Sequence, residues 1–329
     1  MKKIFSLMVA ALSVLAVASC AKENVAKSDE ATMTLSISIP DGAATKAYGD
    51  GQYADKNVII GVFDENGVEK FRKNFVWEKN VFEQEIQIRF IMGKKYQMVL
   101  WAQYGDAYGD PVRMPLDEIT LDYSASNREN LDAFYAHVPV FEVKQDFRKA
   151  IVMTRPFAQL NFATTIGDMD ESIADTDMTG LVNTATVSIS NVANTLNLFT
   201  GETSFVSQNG NAESPRGNVV IPATAFPKME NGKYPVINVD GVIYEVISMN
   251  YVLVADAGAK DGKTTVDLQL QVGELVIDVP NAYMKRNWRT NVVGELLTAE
   301  GSFKVSIDPN FEGSYTENWT EGTNSSTQK

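Results

Sequence analysis

"TMTLSISIP", residues 32–40, decides the fold class. Met33, Leu35, Ile37 and Ile39 alternate with Thr32, Thr34, Ser36 and Ser38. A period of two sends successive side chains to opposite faces of a strand, so this stretch presents one apolar face and one face of hydroxyls. "EIQIRF" (85–90) repeats the pattern with Ile86, Ile88 and Phe90, and "TTVDLQLQV" (264–272) repeats it with Val266, Leu268, Leu270 and Val272. Shorter apolar or alternating runs predict strands at 58–63, 96–103, 138–143, 150–154, 159–164, 185–190, 218–221, 244–253, 275–279, 290–296 and 302–307. Turn residues separate them, in "DENG", "DGAA", "SPRGN", "DGK" and "DPN". Asp240-Gly241 in "VDGV" (239–242) suits the positive φ angles of a type I′ hairpin turn.

The helical period is sparse. One short helix is predicted within 126–136, with Ser126 or Asn127 as its cap, and another within 167–178. About 14 short strands predict an all-β chain of two consecutive antiparallel, transthyretin-like β-sandwiches, about seven strands each. Arg155-Pro156 biases the chain toward an extended or turning path and sets a boundary between residues 150 and 160. The divisions are 1–19, a signal peptide; 20–31, a polar tether; 32–154 and 155–311, the two sandwiches; and 312–329, a polar tail.

Charge and composition narrow the function. The chain has 329 residues and a formal net charge of −13, which becomes −15 once Lys2 and Lys3 are removed with the signal. Such acidity argues against nucleic acid as a partner, because phosphate binding draws on Lys and Arg. There is one cysteine, Cys20, so no internal disulfide can form and stability rests on the core.

"MKKIFSLMVAALSVLAVAS" has a cationic head, an apolar centre and a small-residue end, the layout of a secretory signal. Its apolar centre of about 14 residues is shorter than the roughly 20 a spanning helix needs. "VASC" (17–20) resembles the bacterial lipobox. That resemblance implies cleavage by signal peptidase II between Ser19 and Cys20, and acylation of Cys20 with diacylglycerol and palmitate-type chains. Several acyl chains make a durable anchor. Ala21, in place of an inner-membrane retention aspartate, favours the outer membrane.

Catalytic groups are few. His137 is the only histidine, and no nucleophile-elbow glycine pattern accompanies it. Asp168, Asp170, Glu171, Asp175 and Asp177 read as a solvated polar loop that lacks the glycine and terminal glutamate of a calcium loop. A pair of glycosidase carboxylates needs only the fold to bring it together, and no particular pair stands out. The expectation is a non-enzyme without cofactor or metal. Trp77, Trp288 and Trp319 are candidates for stacking on sugar rings, whereas Trp101, in a strand apolar on both faces, reads as core. The basic side chains of Lys285, Arg286 and Arg289 are expected to pack around Trp288.

"RPFAQLNFATT" (155–165), "KRNWRTNVVGELLT" (285–298) and "VSIDPNF" (305–311), in that order behind a lipobox, look like the fimbrillin-like proteins of Bacteroidales, the surface lipoproteins of type V pili and their relatives. The resemblance covers most of the chain after Cys20. It implies delivery to the outer membrane, then a trypsin-like cut after a basic residue that follows the first strand. Loss of that strand exposes a groove, which the C-terminal strand of another subunit fills. Lys46, the only basic residue in "PDGAATKAYGDG", is the matching position, with the cut between Lys46 and Ala47. The polar C-terminus, with only Phe311, Tyr315 and Trp319 as anchors, suits a tip or accessory subunit better than a stalk. The expected partners are other fimbrillin-like subunits, the outer membrane through Cys20, and a glycan or protein on a host or bacterial surface. The alternative is a tethered lipoprotein that binds surface glycans.

Overall fold

The alternation at residues 32–39 is realised as β1 (Glu30–Ser38), with Met33, Leu35 and Ile37 fully buried and the residues between them half-buried. The structure, a computed structural model, describes residues 29–39, 55–78, 83–174, 183–207, 213–229, 231–255, 263–298 and 302–308. After β1 come β2 (Lys56–Asp64), β3 (Glu69–Trp77), β4 (Glu83–Ile91), β5 (Lys95–Tyr104), β6 (Glu118–Thr120), β7 (Phe134–Glu142) and β8 (Phe147–Val152). Two sheets form from most of these, β4-β1-β8 and β3-β2-β5-β7. Their facing sides enclose one core, where Met33, Leu35 and Ile37 meet Val58, Ile60, Met98, Leu100 and Phe134.

The second half supplies β9 (Ala158–Thr165), α1 (Ile166–Ala174), β10 (Thr184–Ala193), β11 (Thr195–Asn197), β12 (Thr203–Val206), β13 (Glu213–Ser214), β14 (Gly217–Ala225), β15 (Val236–Val239), β16 (Val242–Val254), β17 (Lys263–Val272), β18 (Leu275–Lys285), β19 (Arg289–Gly294) and β20 (Phe303–Asp308). Its main sheet runs β18-β17-β10-β16-β9-β19-β20, with β14 on β10 and β15 on β16. One face of that sheet, with Leu160, Phe162, Val187, Val252, Leu268 and Met284, closes over its own core.

A third core joins the halves. Ile59, Val99 and Trp101, on the outer face of β2 and β5, pack with Ala163, Met249, Tyr251 and Val293 of the main sheet. β2 and β5 are therefore buried on both faces, which accounts for the unbroken apolar runs "VIIGVF" and "MVLWA". β6 also pairs with β11, so one small sheet takes strands from either side of residue 155. The chain is all-β, as the periodicity predicts.

Some local expectations differ from the structure. The helix predicted within 126–136 reduces to one 3₁₀ turn, Glu129–Leu131, because 134–136 enter β7 and the aromatic residues Phe134 and Tyr135 are used in a strand. The helix predicted within 167–178 is present as Ile166–Ala174; residues 175–178 lie outside the described residues. The hairpin turn is confirmed, with φ of 55° at Asp240 and 84° at Gly241 joining the pair Val239 and Val242.

Leu35 sits in the middle strand of its sheet with no exposed surface. Leu35→Ala should lower unfolding free energy by about 2–5 kcal/mol, read from the midpoint of a denaturant titration. A loss well under 1 kcal/mol would show that β1 is dispensable to the core.

Candidate functional site

The feature with a chemistry of its own is the seat of β1. Every residue from Glu30 to Ser38 pairs with β4, antiparallel, from Glu30 opposite Ile91 to Ser38 opposite Glu83. On its other side, Met33 to Ser38 pair with β8 in parallel. Side chains fix the register as well: Asp146 accepts from the Thr32 N–H at 2.7 Å, and Ser36 Oγ donates to Glu83 at 2.6 Å. The apolar face of Met33, Leu35, Ile37 and Ile39 is at most 6 % exposed. Burial of each such side chain contributes about 1.5–3 kcal/mol.

β1 is thus first in sequence but central in its sheet. β2 begins in the opposite sheet. The only covalent link between β1 and the rest of the described chain is the segment 40–54, which lies outside the described residues and contains Lys46 and Ala47. A single cut there would leave β1 held by its ladder and its apolar face alone. Cys20 and Ser19 also lie outside the described residues.

The three motifs that resemble fimbrillins become one contact unit. "RPFAQLNFATT" forms β9, "KRNWRTNVVGELLT" forms β19, and "VSIDPNF" contributes to β20; β9 and β19 pair in parallel, and β20 pairs antiparallel with β19. Asn161 donates to Asn291 at 2.7 Å and Arg289 to Gln159 at 2.7 Å. Buried Asp168, at the start of α1, accepts from the Leu297 N–H at 2.8 Å, from Thr298 at 2.5 Å and from the Thr164 hydroxyl. The solvated-loop reading of Asp168 is therefore corrected: it is a buried acceptor that ties α1 to the segment after β19.

Arg155 opens this unit and reaches both halves. It donates to Asp132 at 2.5 and 2.9 Å and to Asn287 at 2.9 Å, and it stacks 4.9 Å over the Phe134 ring. Lys56 lies in the same region, 8 % exposed, bonded to Tyr104 Oη at 2.7 Å.

The aromatic candidates divide. Trp77 is 3 % exposed and belongs to the first core, so its ring is not open to a sugar. Trp101 is fully buried, as its strand predicts. Trp288 is half-buried, with Lys285 Nζ 4.4 Å from its ring centroid and Tyr283 edge-on at 6.4 Å. Trp319 lies outside the described residues. His137 is half-buried beside Phe199, and burial holds its imidazole below the usual range. Among the described residues no group of three or more His, Cys, Asp or Glu could hold a metal ion. No described helix is long and apolar enough to cross a membrane.

The chain belongs to a family of unknown function, DUF6562, whose model matches residues 24–326. No curated protein sequence matches it. Its backbone is similar to several solved structures. One is a protein from Bacteroides uniformis named for a proposed role in cell adhesion, 16 % identical, covering 85 % of this chain and 99 % of that one, at a TM-score of 0.46. Another is the tip fimbrial protein Mfa3 of Porphyromonas gingivalis, 11 % identical, covering 85 % and 99 %, at 0.43. The fimbrial anchor protein Mfa2 of the same organism is 12 % identical, covering 86 % and 100 %, at 0.42. Likenesses of this size assign neither role nor partner to this chain.

Burial pushes the Lys56 ammonium down from 10.5 to about 8, against the opposing pull of Asp132. Between those values the unfolded chain holds a proton that the folded chain has lost. Stability should therefore rise with pH from about 8 to 10.5, by on the order of 3 kcal/mol from this group. Lys56→Met should flatten that rise in denaturant titrations across the window. An unchanged slope would remove Lys56 as its source.

Proposed function

We propose that this protein is a surface-exposed, outer-membrane lipoprotein of fimbrillin type. It acts in adhesion as a terminal or accessory pilus subunit, assembled when a protease frees its first strand for exchange. The carrying observation is the position of β1, first in the chain and in the middle of its sheet. Removing a terminal edge strand would merely shorten a sheet. Removing β1 would unpair β4 and β8 together and uncover the apolar floor that Met33, Leu35 and Ile37 now seal. A slot with two open edges and pockets at every second residue takes up a strand of the same pattern by main-chain pairing and side-chain fit.

The proposed cut lies between Lys46 and Ala47, and the anchor at Cys20. Cys20 precedes β1 and would leave with it, so processing would also release the subunit from its lipid. The polar residues 312–329 suit a subunit that accepts a strand and offers none.

Limited trypsin treatment of the purified protein tests the exchange. The expected product begins at Ala47 by mass spectrometry, stays monomeric on its own and takes up an added, labelled synthetic peptide of residues 30–39 in gel filtration. A chain resistant at Lys46, or a cut product that fails to take up that peptide, would sink the reading. The anchor is tested separately: Cys20→Ser should abolish incorporation of labelled palmitate and move the protein out of the membrane fraction. Continued labelling would refute lipidation at Cys20.

A further inference from the structure

Two edge strands face each other across the first sandwich. β7 ends one sheet and β8 ends the other. They meet at a bridge in which Tyr135 and Thr154 each donate an N–H to the other's carbonyl at 2.9 Å. Beyond it they part around a cleft of about 430 Å³, walled on one side by residues 199–201. Main-chain groups alternate in direction along a strand, and the outward side of β8 is the side that Thr154 uses. Ala150 and Val152 therefore turn their N–H and C=O groups to the cleft, as His137 does from β7. Neither strand has a ladder partner on that side beyond the bridge, among the described residues.

Exposed edges invite an added strand, and proteins restrict them with proline and with inward-pointing charge. Both devices are here. Pro139 on β7 lines the cleft and has no N–H to offer. Lys149 lies opposite Leu35, so it shares the inner side of β8 with Phe147 and Ile151. It is half-buried, and among the described residues it has no hydrogen bond or ion pair. A lysine in that position opposes an apolar strand and admits one that brings a carboxylate opposite it.

The chain carries such a strand sequence. "YTENW", residues 315–319, read at the strand period, places Tyr315, Glu317 and Trp319 on one side. That apolar–acidic–apolar order complements the Ile151, Lys149, Phe147 side of β8. The exit point also fits. Asp308, the last described residue, has its carboxylate 3.8 Å from Arg289. The turn before Arg289 touches the cleft wall: Arg286 donates to the Gly201 carbonyl at 2.9 Å, and Asn287 accepts at 2.9 Å from Arg155, the residue after Thr154. Residues 309–314 span about 20 Å when extended, at roughly 3.3 Å each. A strand entering from that side would meet the Thr154 end of the cleft first and run antiparallel to β8.

We propose that the cleft between β7 and β8 holds residues 315–319 of the same chain as an added strand, with Glu317 paired to Lys149. This site is separate from the seat of β1, and its test does not involve Lys46.

Zero-length carbodiimide cross-linking of the dilute, purified protein, followed by peptide mass spectrometry, reads the contact directly. The expected result is an amide between Lys149 and Glu317 in the monomer band. Hydrogen exchange at the Ala150 and Val152 amides should be slow in the wild type and several-fold faster in Lys149→Glu, the effect of losing one ion pair. Combining Lys149→Glu with Glu317→Lys should restore slow exchange. Absence of the cross-link with fast wild-type exchange would overturn the proposal and leave Lys149 and Pro139 as edge protection only. A cross-link confined to dimers would overturn it in favour of a second copy as the occupant.

Discussion

The first sandwich depends on one strand being held on both sides. β1 pairs antiparallel with β4 and parallel with β8, and those two strands do not pair with each other. Without β1 there is no sheet on that side of the core, only two separate strands. A parallel neighbour cannot follow directly in sequence, because the chain has to return to the same end. Here the return runs through the whole opposite sheet before β8 is laid down. β1 is consequently bound by contacts between residues far apart in the chain, such as Leu35 with Ile86 and Lys149. Such contacts need loop closure before they stabilise anything. The strand made first is the one whose seat is completed late.

The second organising element is the trio β9, β19 and β20. Its polar pairs, Asn161 with Asn291 and Gln159 with Arg289, occupy interior positions where an apolar residue would cost less to bury. Their amides match only in one register, so they specify alignment where the parallel pairing of β9 and β19 has no hairpin turn to set it. Arg155 extends the same logic to the junction. Its two bonds to Asp132 and one to Asn287 satisfy a guanidinium that is almost fully buried. Asp132 precedes β7, and Asn287 precedes β19. Arg155 therefore fixes the start of a first-half strand relative to the start of a second-half strand.

Much of this was legible in the sequence, and the gaps have physical causes. Strands with one wet face announced themselves by alternation, as β1 and β17 did. β2 and β5 were legible as apolar runs, although nothing in a run tells which two layers will cover it. β3 was missed: "EKFRKNFVW" is an edge strand with most residues exposed, so burial imposes no pattern on it. The short strands β6, β11, β12 and β13 were missed because two to four residues cannot establish a period. The 3₁₀ turn at Glu129–Leu131 looks helical in sequence because of Ser126 and Asn127, but Asn127 instead accepts from the Met249 N–H and donates to the Ala225 carbonyl, tying the segment to β16 and β14. At the site, the apolar face of β1 was visible, but its central place in a sheet was not. Pairing partners lie about 50 and 115 residues away, and local pattern carries no information on them. Trp77 was misjudged for a related reason: at the end of an exposed strand, only the opposing sheet shows that its ring turns inward.

A strand that took the proposed place of β1 would have to satisfy more than an apolar alternation. Met33, Leu35 and Ile37 are fully buried, so the floor accepts large side chains at successive inward positions and leaves a void wherever a small one arrives. The outward positions discriminate differently. Ser36 donates to Glu83, and the Thr32 N–H is met by Asp146, so two carboxylates flank the seat. At the Ser36 position, opposite Glu85 and beside Glu83, an incoming acidic residue would meet like charge, whereas at the Thr32 position it would face Arg89. The seat therefore selects by size on its inner side and by charge on its outer side.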